Sequence, residues 1–325
     1  MVLDRISSKT FLVIGRVGMD LTPSPVNTRT RDATTMMVAM GGSSANIAAG
    51  LSRLGCYAAL LTTVSDDAVG WYCLDQLDHY HIDRRHVKAI KGEARTSLAV
   101  YETRKDEHQS VIYRNNAADF QMTVADVEAV DFPAFGAMIT TGTVFSAEPS
   151  RSAAFRAFEM ARAAGVAIVF DIDYRPYIWP SPGVAKDVLA RAGEMADVIV
   201  GNDEEFGFMA GDVTAGLAKA RELATSSAAI VVYKQGPGGS ITFADRRELR
   251  TGIFPVVALK PTGAGDSFLA GFLASLGEGR PVQEAVLRGS ACASIVVAKP
   301  GCAPAMPFPA ELEDFLATHP GVTSV

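Results

Sequence analysis

The sequence of 325 residues contains little that could form a metal site or a disulfide framework. Its four cysteines are far apart and form no CxxC pair; they are Cys56, Cys73, Cys292 and Cys302. Three histidines cluster in "DHYHIDRRHV", where an i, i+2 pair does not share a helix face; they are His79, His81 and His86. We therefore expect neither a zinc site nor disulfides. The cysteines are predicted to be small buried side chains, and the histidines to lie at a solvated helix end.

Basic blocks and long apolar runs are also missing. Acids and bases are interspersed with a net charge of −6, so nucleic acid is not an expected partner. The apolar runs are too short to span a bilayer, and the first residues lack the basic leader, apolar run and cleavage site of a signal peptide. These features favour a soluble, cytoplasmic protein that has no membrane partner.

Two common nucleotide-binding motifs are absent as well. The sequence contains no GxxxxGK[ST], and no GxGxxG follows its first predicted strand. A P-loop NTPase and a dinucleotide-binding dehydrogenase are therefore not supported.

From about residue 130 onward, apolar strand-like runs alternate with helix-patterned segments. The runs are "GAMITTG", "VAIVFDID", "DVIVGN" and "AAIVVYKQG". This rhythm predicts an α/β fold with a mostly parallel sheet covered by helices on both faces. Because ligands gather at the carboxyl ends of such strands, the polar residues that follow them are predicted to share one rim. They are Asp171, Asp173, Arg175, Asn202, Glu205 and Lys234.

The N-terminal third has a different pattern. The segment "RTSLAVYETRKDEHQSVIYRNNA" contains two β-prone runs around a charged turn, which predicts a hairpin in a small, mostly antiparallel sheet. Such a sheet over the rim would serve as a lid. We expect one domain over residues 1–325, with the lid formed by insertions within about 16–40 and 95–118.

The stretch "LKPTGAGDSFLAGFLASL" places glycines and an acid at the start of a predicted helix. Gly263 and Gly265 allow close backbone approach, and a helix start presents unpaired N–H groups and a positive dipole end to an anion. Asp266 falls in the first turn, where it could cap the helix or face the same ligand.

Three further stretches are weak signals by themselves. "GGSSAN" at 41–46 suits the binding of a polyol, although Ser and Asn also cap helices. Asn202 and Glu205 in "GNDEEF" could both face a metal-bound phosphate, or simply form a capping box. The turn "YKQGPGGS" at 233–240 follows a strand and could be an ordinary hairpin.

Taken together, "PTGAGDSFLAGF" and "GGSSANIAAGLSRLG" resemble the paired signatures of the ribokinase-like (PfkB) sugar kinases, and "GCAPAMP" near the C-terminus agrees. The resemblance implies ATP and Mg²⁺. By that resemblance Asp266 is the catalytic base, and Gly263, Ala264 and Gly265 form the anion hole. Asn202 and Glu205 organise Mg²⁺ through its water shell. The ATP site then includes Asn202, Lys234, Gly236, Gly239, Gly263 and Gly265, with the adenine between the segment after Lys234 and the helix of "RGSACASIVVAKPG".

The stretch "FDIDYRPYIW" resembles the sugar-acid kinases of this family that act in inositol catabolism. A sugar acid needs a fixed cation, and guanidinium matches a carboxylate in bidentate geometry. Arg175 and Arg114 are the first candidates, with Arg16 behind them. The predicted contacts to the rest of the substrate are Asp20, Gly41, Gly42, Ser43, Asn46 and Tyr113. The resemblance implies transfer to the terminal C6 hydroxyl.

One position departs from the family pattern. Lys260 stands where relatives such as ribokinase have an acid that helps to hold an activating K⁺ ion. A lysine ammonium would repel that ion and replace its charge, so the enzyme is expected not to depend on K⁺. Family lids often pair, which makes a homodimer through the lid a further expectation.

Other functions remain open at this stage. A kinase of 2-keto-3-deoxygluconate would share the need for arginines, whereas a fructokinase would leave them without a carboxylate to bind. A non-catalytic sugar or nucleotide sensor would not require an intact Asp266 or the NxxE pair.

Overall fold

The computed structural model describes residues 2–104 and 109–319, and every statement about structure below concerns these residues. Its strands are β1 (Thr10–Ile14), β2 (Gly18–Ser24), β3 (Thr35–Gly41), β4 (Tyr57–Ser65), β5 (Asp83–Ile90), β6 (Leu98–Tyr101), β7 (Ser110–Tyr113), β8 (Ala137–Thr141), β9 (Ala167–Asp171), β10 (Val198–Asn202), β11 (Ile230–Lys234), β12 (Ser240–Ala244) and β13 (Arg247–Thr251). Its helices are α1 (Val2–Ile6), α2 (Ser43–Arg53), α3 (Ala68–His79), α4 (Val124–Glu128), α5 (Ser150–Ala163), α6 (Pro182–Met195), α7 (Asp203–Ala210), α8 (Gly216–Ser226), α9 (Ala264–Gly277), α10 (Val282–Val297) and α11 (Pro309–Thr318).

The large sheet has nine strands within the described residues, in the order β13-β12-β11-β10-β9-β8-β1-β4-β5. All its pairings from β11 to β5 are parallel, and β12 and β13 add an antiparallel edge. The predicted α/β fold with a mostly parallel sheet is therefore confirmed.

The core lies in two layers, one on each face of the large sheet. Phe11 and Val13 of β1 pack in the layer that contains α2, α9 and α10, while Leu12 and Ile14 pack in the layer of α5, α6 and α8. This division follows from the alternation of side chains along a strand. Because helices cover both faces, the central strands are predominantly apolar, as the sequence pattern indicates, whereas the edge strands β5 and β13 carry charged residues.

The small sheet has the order β3-β2-β6-β7 within the described residues. The β2–β3 and β6–β7 pairs are antiparallel and the β2–β6 pair is parallel. The predicted hairpin is present as β6 and β7, and residues 105–108 of its charged turn lie outside the described residues. The four strands correspond to the two segments expected to form a lid; that they act as a lid on one undivided domain stays a prediction.

The cysteines and histidines can now be placed. All four cysteines are buried and unpaired, as expected. His79 ends α3 and His81 follows it, but His86 lies in β5 rather than at the helix end, because the chain turns at His81 and enters the strand at Asp83. Within the described ranges, no helix combines the length and apolarity needed to cross a membrane.

Candidate active site

A cavity of about 980 Å³ lies at the carboxyl ends of the large sheet's central strands, with the small sheet over it. Most residues singled out in the sequence line this cavity. They are Arg16, Asp20, Gly42, Ser43, Asn46, Arg114, Arg175, Asn202, Glu205, Lys234, Gly236, Gly239, Gly263, Ala264, Gly265 and Asp266. Gly41, Tyr113 and Lys260 are not in its lining. Residues that are more than 200 positions apart in the chain therefore meet around one space.

The start of α9 forms one wall of the cavity. Gly263 is the N-cap residue with φ of 86°, a left-handed conformation that favours glycine. A Cβ at this position would also lie 2.9 Å from Cys302 Sγ. The first N–H groups of an α-helix have no partners inside the helix, and here the Ala264 N–H makes only a long contact of 3.4 Å with the Pro261 carbonyl. The turn therefore offers these groups to the cavity together with the positive end of the helix dipole.

Asp266 lies in the first turn of α9 but does not cap the helix. Its Oδ2 accepts a hydrogen bond of 2.8 Å from Asn46 Nδ2 on α2. Burial, followed by the negative charge of Asp173, raises the pKa of Asp266 to about 6, while Asn46, Arg175 and Arg16 act in the opposite direction. Such a carboxyl is ionised at neutral pH and is a better proton acceptor than an ordinary aspartate.

Asn46 has a second polar atom that stays free. Its Oδ1 is buried and has no hydrogen-bond partner among the residues described. Since buried polar atoms are nearly always satisfied, this oxygen is available to a ligand hydroxyl beside Asp266.

Asp20 is the buried acid of the small sheet. It lies in β2, and burial raises its pKa to about 6 against the lowering influence of Arg16 and Lys260. Gly41 makes room for it, because a Cβ on Gly41 would lie 1.9 Å from Asp20 Oδ1. Gly41 thus acts on the cavity without lining it.

A group of acids follows β9 and β10. Glu205 and Asn202 form a capping box, with Asn202 N donating to Glu205 Oε2 and Glu205 N donating to Asn202 Oδ1, both at 2.8 Å. Burial raises the pKa of Asp171 well above its usual range, and the negative charges of Glu205 and Asp173 act in the same direction. The capping interpretation of the NxxE motif is therefore correct, and the same two residues also face the cavity.

Three arginines reach the cavity in different states. The Arg114 guanidinium is buried, pairs with Asp119 at 2.5 Å and lies over the Phe120 ring. Arg175 pairs with Asp173 at 2.8 Å. Neither ion pair was predicted from the sequence, because only the folded chain shows which acid each arginine contacts. Arg16 instead donates from NH1 to Ser97 Oγ at 3.0 Å.

Lys234 and Lys260 both place ammonium groups near the turn before α9. Lys234 Nζ lies 5.5 Å from the Phe268 ring centre, and a Cβ on Gly265 would be 3.6 Å from it. Lys260 is buried beneath the turn, where Nζ donates to the carbonyls of Thr262 at 2.7 Å and Val296 at 3.2 Å. Burial lowers the pKa of Lys260.

Tyr113 is not brought to the cavity. It is 60% exposed, while its neighbour Ile112 lines the cavity. Successive side chains of a strand point to opposite faces, so a contact by Ile112 excludes one by Tyr113. The sequence predicts that the side chains of β7 alternate between two faces, but it does not predict which face lines the cavity.

Several residues that line the cavity had no predicted role. Asp171 and Asp173 were placed at the rim only, although an acid ending the apolar run "VAIVF" was a usable signal. The loop after β13 and the helix α10 form the apolar end of the cavity. No sequence pattern indicated which of their residues line it. Those residues include Ile253, Phe254, Val256, Ala293 and Val297.

Comparison with known proteins agrees with this geometry. The sequence profile of the family described as "pfkB family carbohydrate kinase" matches residues 8–309. The chain belongs to this family. The predicted resemblance to the PfkB kinases is thereby confirmed, and the bound partners of the class are a nucleotide and a carbohydrate.

Curated pfkB family relatives cover nearly the whole chain. The chain is 36% identical over 314 residues to the 5-dehydro-2-deoxygluconokinase of Geobacillus kaustophilus, which covers 95% of this chain and 94% of that protein. It is 34% identical over 313 residues to the protein of the same name from Photobacterium profundum, with 95% of each chain covered.

Solved structures show the same architecture. A PfkB protein from Polaromonas sp. JS666 aligns with a TM-score of 0.81 and 27% identity, over 94% of this chain and 99% of that one. A fructokinase from Xylella fastidiosa, solved with bound ATP, aligns with a TM-score of 0.83 and 21% identity, over 96% and 99%. At that identity the second comparison shows the fold alone.

Proposed function

We propose that this pfkB family kinase transfers the γ-phosphoryl group of ATP to the C6 hydroxyl of 5-dehydro-2-deoxygluconate. The observation that carries the proposal is Asp266, a buried acid with a raised pKa at the mouth of α9, in a cavity that arginines also reach. Relatives that cover 95% of the chain and bear the name of that kinase support the substrate. A kinase that draws on cellular ATP and sugar acids would work in the cytoplasm.

In this proposal Asp266 is the catalytic base. Its carboxylate takes the proton of the C6 hydroxyl while that oxygen forms a bond to the γ-phosphorus, and the bond from phosphorus to the β–γ bridging oxygen breaks to release ADP. Gly263, Ala264 and Gly265 would direct their N–H groups at the transferred phosphoryl oxygens, whose charge they stabilise without rearrangement. Lys234, beside Gly265, adds a positive charge to the same region.

The acids after β9 and β10 fit a hydrated Mg²⁺ ion. Both Glu205 oxygens already accept backbone N–H groups, from Tyr174 and Asn202. In the part of the chain that is described, no three Asp, Glu, His or Cys residues are arranged to hold a metal directly. Asn202 and Glu205 would therefore hold the ion through water, because Mg²⁺ prefers oxygen ligands and usually keeps several of its water molecules. When bound, Mg²⁺ neutralises charge on the ATP phosphates.

The remaining contacts divide along the cavity. The substrate hydroxyls would be bound by Asp20, Gly42, Ser43 and the free Oδ1 of Asn46, all of which belong to residues that line the cavity. The adenine would occupy the apolar end, between the turn at Gly236 and α10. An adenine site lined by apolar groups agrees with the general nature of ligand pockets.

Lys260 supports independence from K⁺. Its ammonium already donates to two carbonyls, of Thr262 and Val296, that would otherwise be free to coordinate a cation beneath the anion hole. We expect turnover to change by less than about twofold when tetramethylammonium is exchanged for K⁺ at constant ionic strength. A several-fold rise with K⁺ would show that the lysine does not replace the ion.

The outer face of the small sheet supports a homodimer. Val38, Leu21, Val100 and Val111 stand in one row across its four strands, and Val38 and Val111 are each 46% exposed. A continuous apolar sheet face of this kind indicates an interface. Sedimentation should show a dimer that Val38→Glu dissociates, while Val213→Glu, at an exposed valine elsewhere, leaves it intact. A monomeric wild type would contradict the proposal.

The function is tested with a panel of four acceptors: 5-dehydro-2-deoxygluconate, 2-keto-3-deoxygluconate, fructose and ribose. ATP-dependent phosphorylation of the first with the highest kcat/KM, followed by product analysis by ³¹P NMR, is the expected result. Preference for 2-keto-3-deoxygluconate or fructose would replace the substrate but keep the kinase. Binding without turnover on any acceptor would favour the sensor.

A further inference from the structure

We infer that Arg16, rather than Arg175 or Arg114, is the residue that binds the carboxylate of the sugar acid. The inference rests on the proposed function, because it concerns the acid end of that substrate. It reverses the order expected from sequence, in which Arg175 and Arg114 came first.

The three arginines that line the cavity differ in the partners that they already have. Arg114 is paired with Asp119 in a buried contact of 2.5 Å, and Arg175 with Asp173 at 2.8 Å. Within residues 2–104 and 109–319, Arg16 has no carboxylate within the 4.0 Å of an ion pair. A carboxylate arriving at Arg114 or Arg175 must displace or share an existing acid, whereas Arg16 can receive one directly.

Arg16 is held in a fixed position. NH1 donates to the hydroxyl of the buried Ser97 at 3.0 Å, and a Cβ on Gly18 would lie 3.1 Å from the same nitrogen. Its carbonyl accepts from Ala45 N at 3.2 Å, which ties the loop between β1 and β2 to the start of α2. The guanidinium thus makes one side-chain hydrogen bond, to a neutral partner. Its other N–H groups remain available, in a planar arrangement that matches a carboxylate.

Arg16 and Arg175 lie in different parts of the cavity. The Arg16 guanidinium lies beside the small sheet, near Gly18 at the start of β2 and bonded to Ser97 just before β6. Its charge also lowers the pKa of Asp20 in β2, the acid expected to bind hydroxyls. It therefore lies on the side of the cavity where the sugar would extend. Arg175 also acts on Asp266, but its strongest interaction is with Asp173, and Glu205 raises its pKa as well, so it lies among the acids at the ends of β9 and β10.

The position of Arg16 also bears on the repulsion between the two buried acids and the substrate. Asp20 and Asp266 would repel a substrate carboxylate, since each is ionised at neutral pH. A cation that forms no ion pair of its own, beside the acid end of the substrate, offsets that repulsion. A neutral sugar would leave the partly buried Arg16 without an anion from the substrate, which selects against that sugar.

The test compares 5-dehydro-2-deoxygluconate with its C1 carboxamide, which keeps the shape and loses the charge. We expect Arg16→Ala to lower kcat/KM for the acid on the order of 100-fold, mainly through KM, and to change it less than about threefold for the amide. Arg16→Lys should recover part of the loss, because charge returns without the bidentate geometry. Arg175→Ala and Arg114→Ala should affect acid and amide alike.

Arg85→Ala provides the matched control, because Arg85 is 69% exposed on β5 and pairs with its own Asp83. Thermal melting and ATP binding of each variant show whether it is folded, and Arg16→Lys serves if Arg16→Ala is not. Equal losses for acid and amide in the Arg16 variants would overturn the inference, as would a loss for the acid alone in Arg175→Ala. Failure of the proposed function looks different: wild-type enzyme would then phosphorylate neither compound.

Discussion

The two sheets use their side chains in opposite ways. In the large sheet, β8 and β9 are buried along their whole length, and only the residues at their carboxyl ends reach the cavity. In the small sheet, one face presents Asp20, Ala99, Tyr101 and Ile112 to the cavity and the other is apolar and partly exposed. The large sheet therefore contributes residues at strand ends to the cavity, while the small sheet contributes one whole face, which is proposed to contact the substrate.

Each region also contributes one acid with a pKa of about 6. Asp266 belongs to the helix layer of the large sheet and Asp20 to the small sheet, and burial is the main cause for both. Their equal pKa values conceal different expected roles, since one takes a proton and the other orients hydroxyls. Variants of the two regions should therefore separate turnover from binding.

The largest effect is expected for Asp266→Asn. Loss of the general base should lower kcat by about 10³-fold with little change in KM. The amide keeps an oxygen that can accept the Asn46 hydrogen bond, so the fold of the site is preserved. Steady-state kinetics with the acid substrate measures the change. Asp20→Asn is the comparison, and it should raise KM more than it lowers kcat; the reverse pattern would exchange the two roles.

The same variant should be more stable than the wild type. The pKa of Asp266 is about 6 in the folded protein against an ordinary 3.8, so the folded state holds the proton more tightly than the unfolded chain does. Its carboxyl thus favours folding most at low pH, and this contribution is lost as pH rises through 6. Asp266→Asn should then gain about 1–3 kcal/mol at pH 8 and almost nothing at pH 4. Chemical denaturation at both pH values measures it.

Gly41→Ala should produce the next largest effect. A Cβ there would lie 1.9 Å from Asp20 Oδ1, so the carboxylate must move away from the hydroxyls that it is proposed to bind. We expect KM to rise on the order of 100-fold while kcat at saturation falls much less. Gly183→Ala is the matched control, because its nearest neighbour would be 4.0 Å away. An unchanged KM would show that Asp20 does not contact the substrate.

The pH profile should show both acids at once. A carboxylate must be ionised to accept a proton or a hydroxyl hydrogen bond, so activity is lost as pH falls through about 6. Because kcat/KM reports the free enzyme, its logarithm should fall with a slope approaching 2 below that pH, and with a slope of 1 in Asp20→Asn. A slope of 1 in the wild type would mean that only one of the two acids must be ionised for activity.

The smallest effects distinguish the two faces of the small sheet. Ile112 lines the cavity, whereas Tyr113 is 60% exposed on the other face. Ile112→Ala is expected to raise KM about threefold to tenfold, and Tyr113→Ala to change it less than twofold. Kinetics at one protein concentration measures both. A larger effect of Tyr113→Ala would mean that the outer face is coupled to substrate binding.

Much of the site was predictable because it depends on local sequence. "PTGAGD" fixes a glycine turn and an acid in the first turn of α9, and the apolar runs before Asp171 and Asn202 fix which residues end strands. Tyr113 shows the limit of local pattern, since alternation predicts two faces without saying which is inside. Gly41 was predicted to contact the substrate, but it lies outside the cavity and acts by leaving room for Asp20.

The sequence by itself determined the fold class, the family, the proposed base and the set of arginines. These follow from periodicity and from motifs that each occupy a few consecutive residues. Only the tertiary structure decided which charges are already neutralised. Asp119 and Asp173 lie within five positions of their arginines, yet nothing local indicates that they pair, or that Arg16 meets Ser97, 81 residues away, in place of an acid. Electrostatic pairing depends on distances in space and on burial, and neither is written in the order of residues.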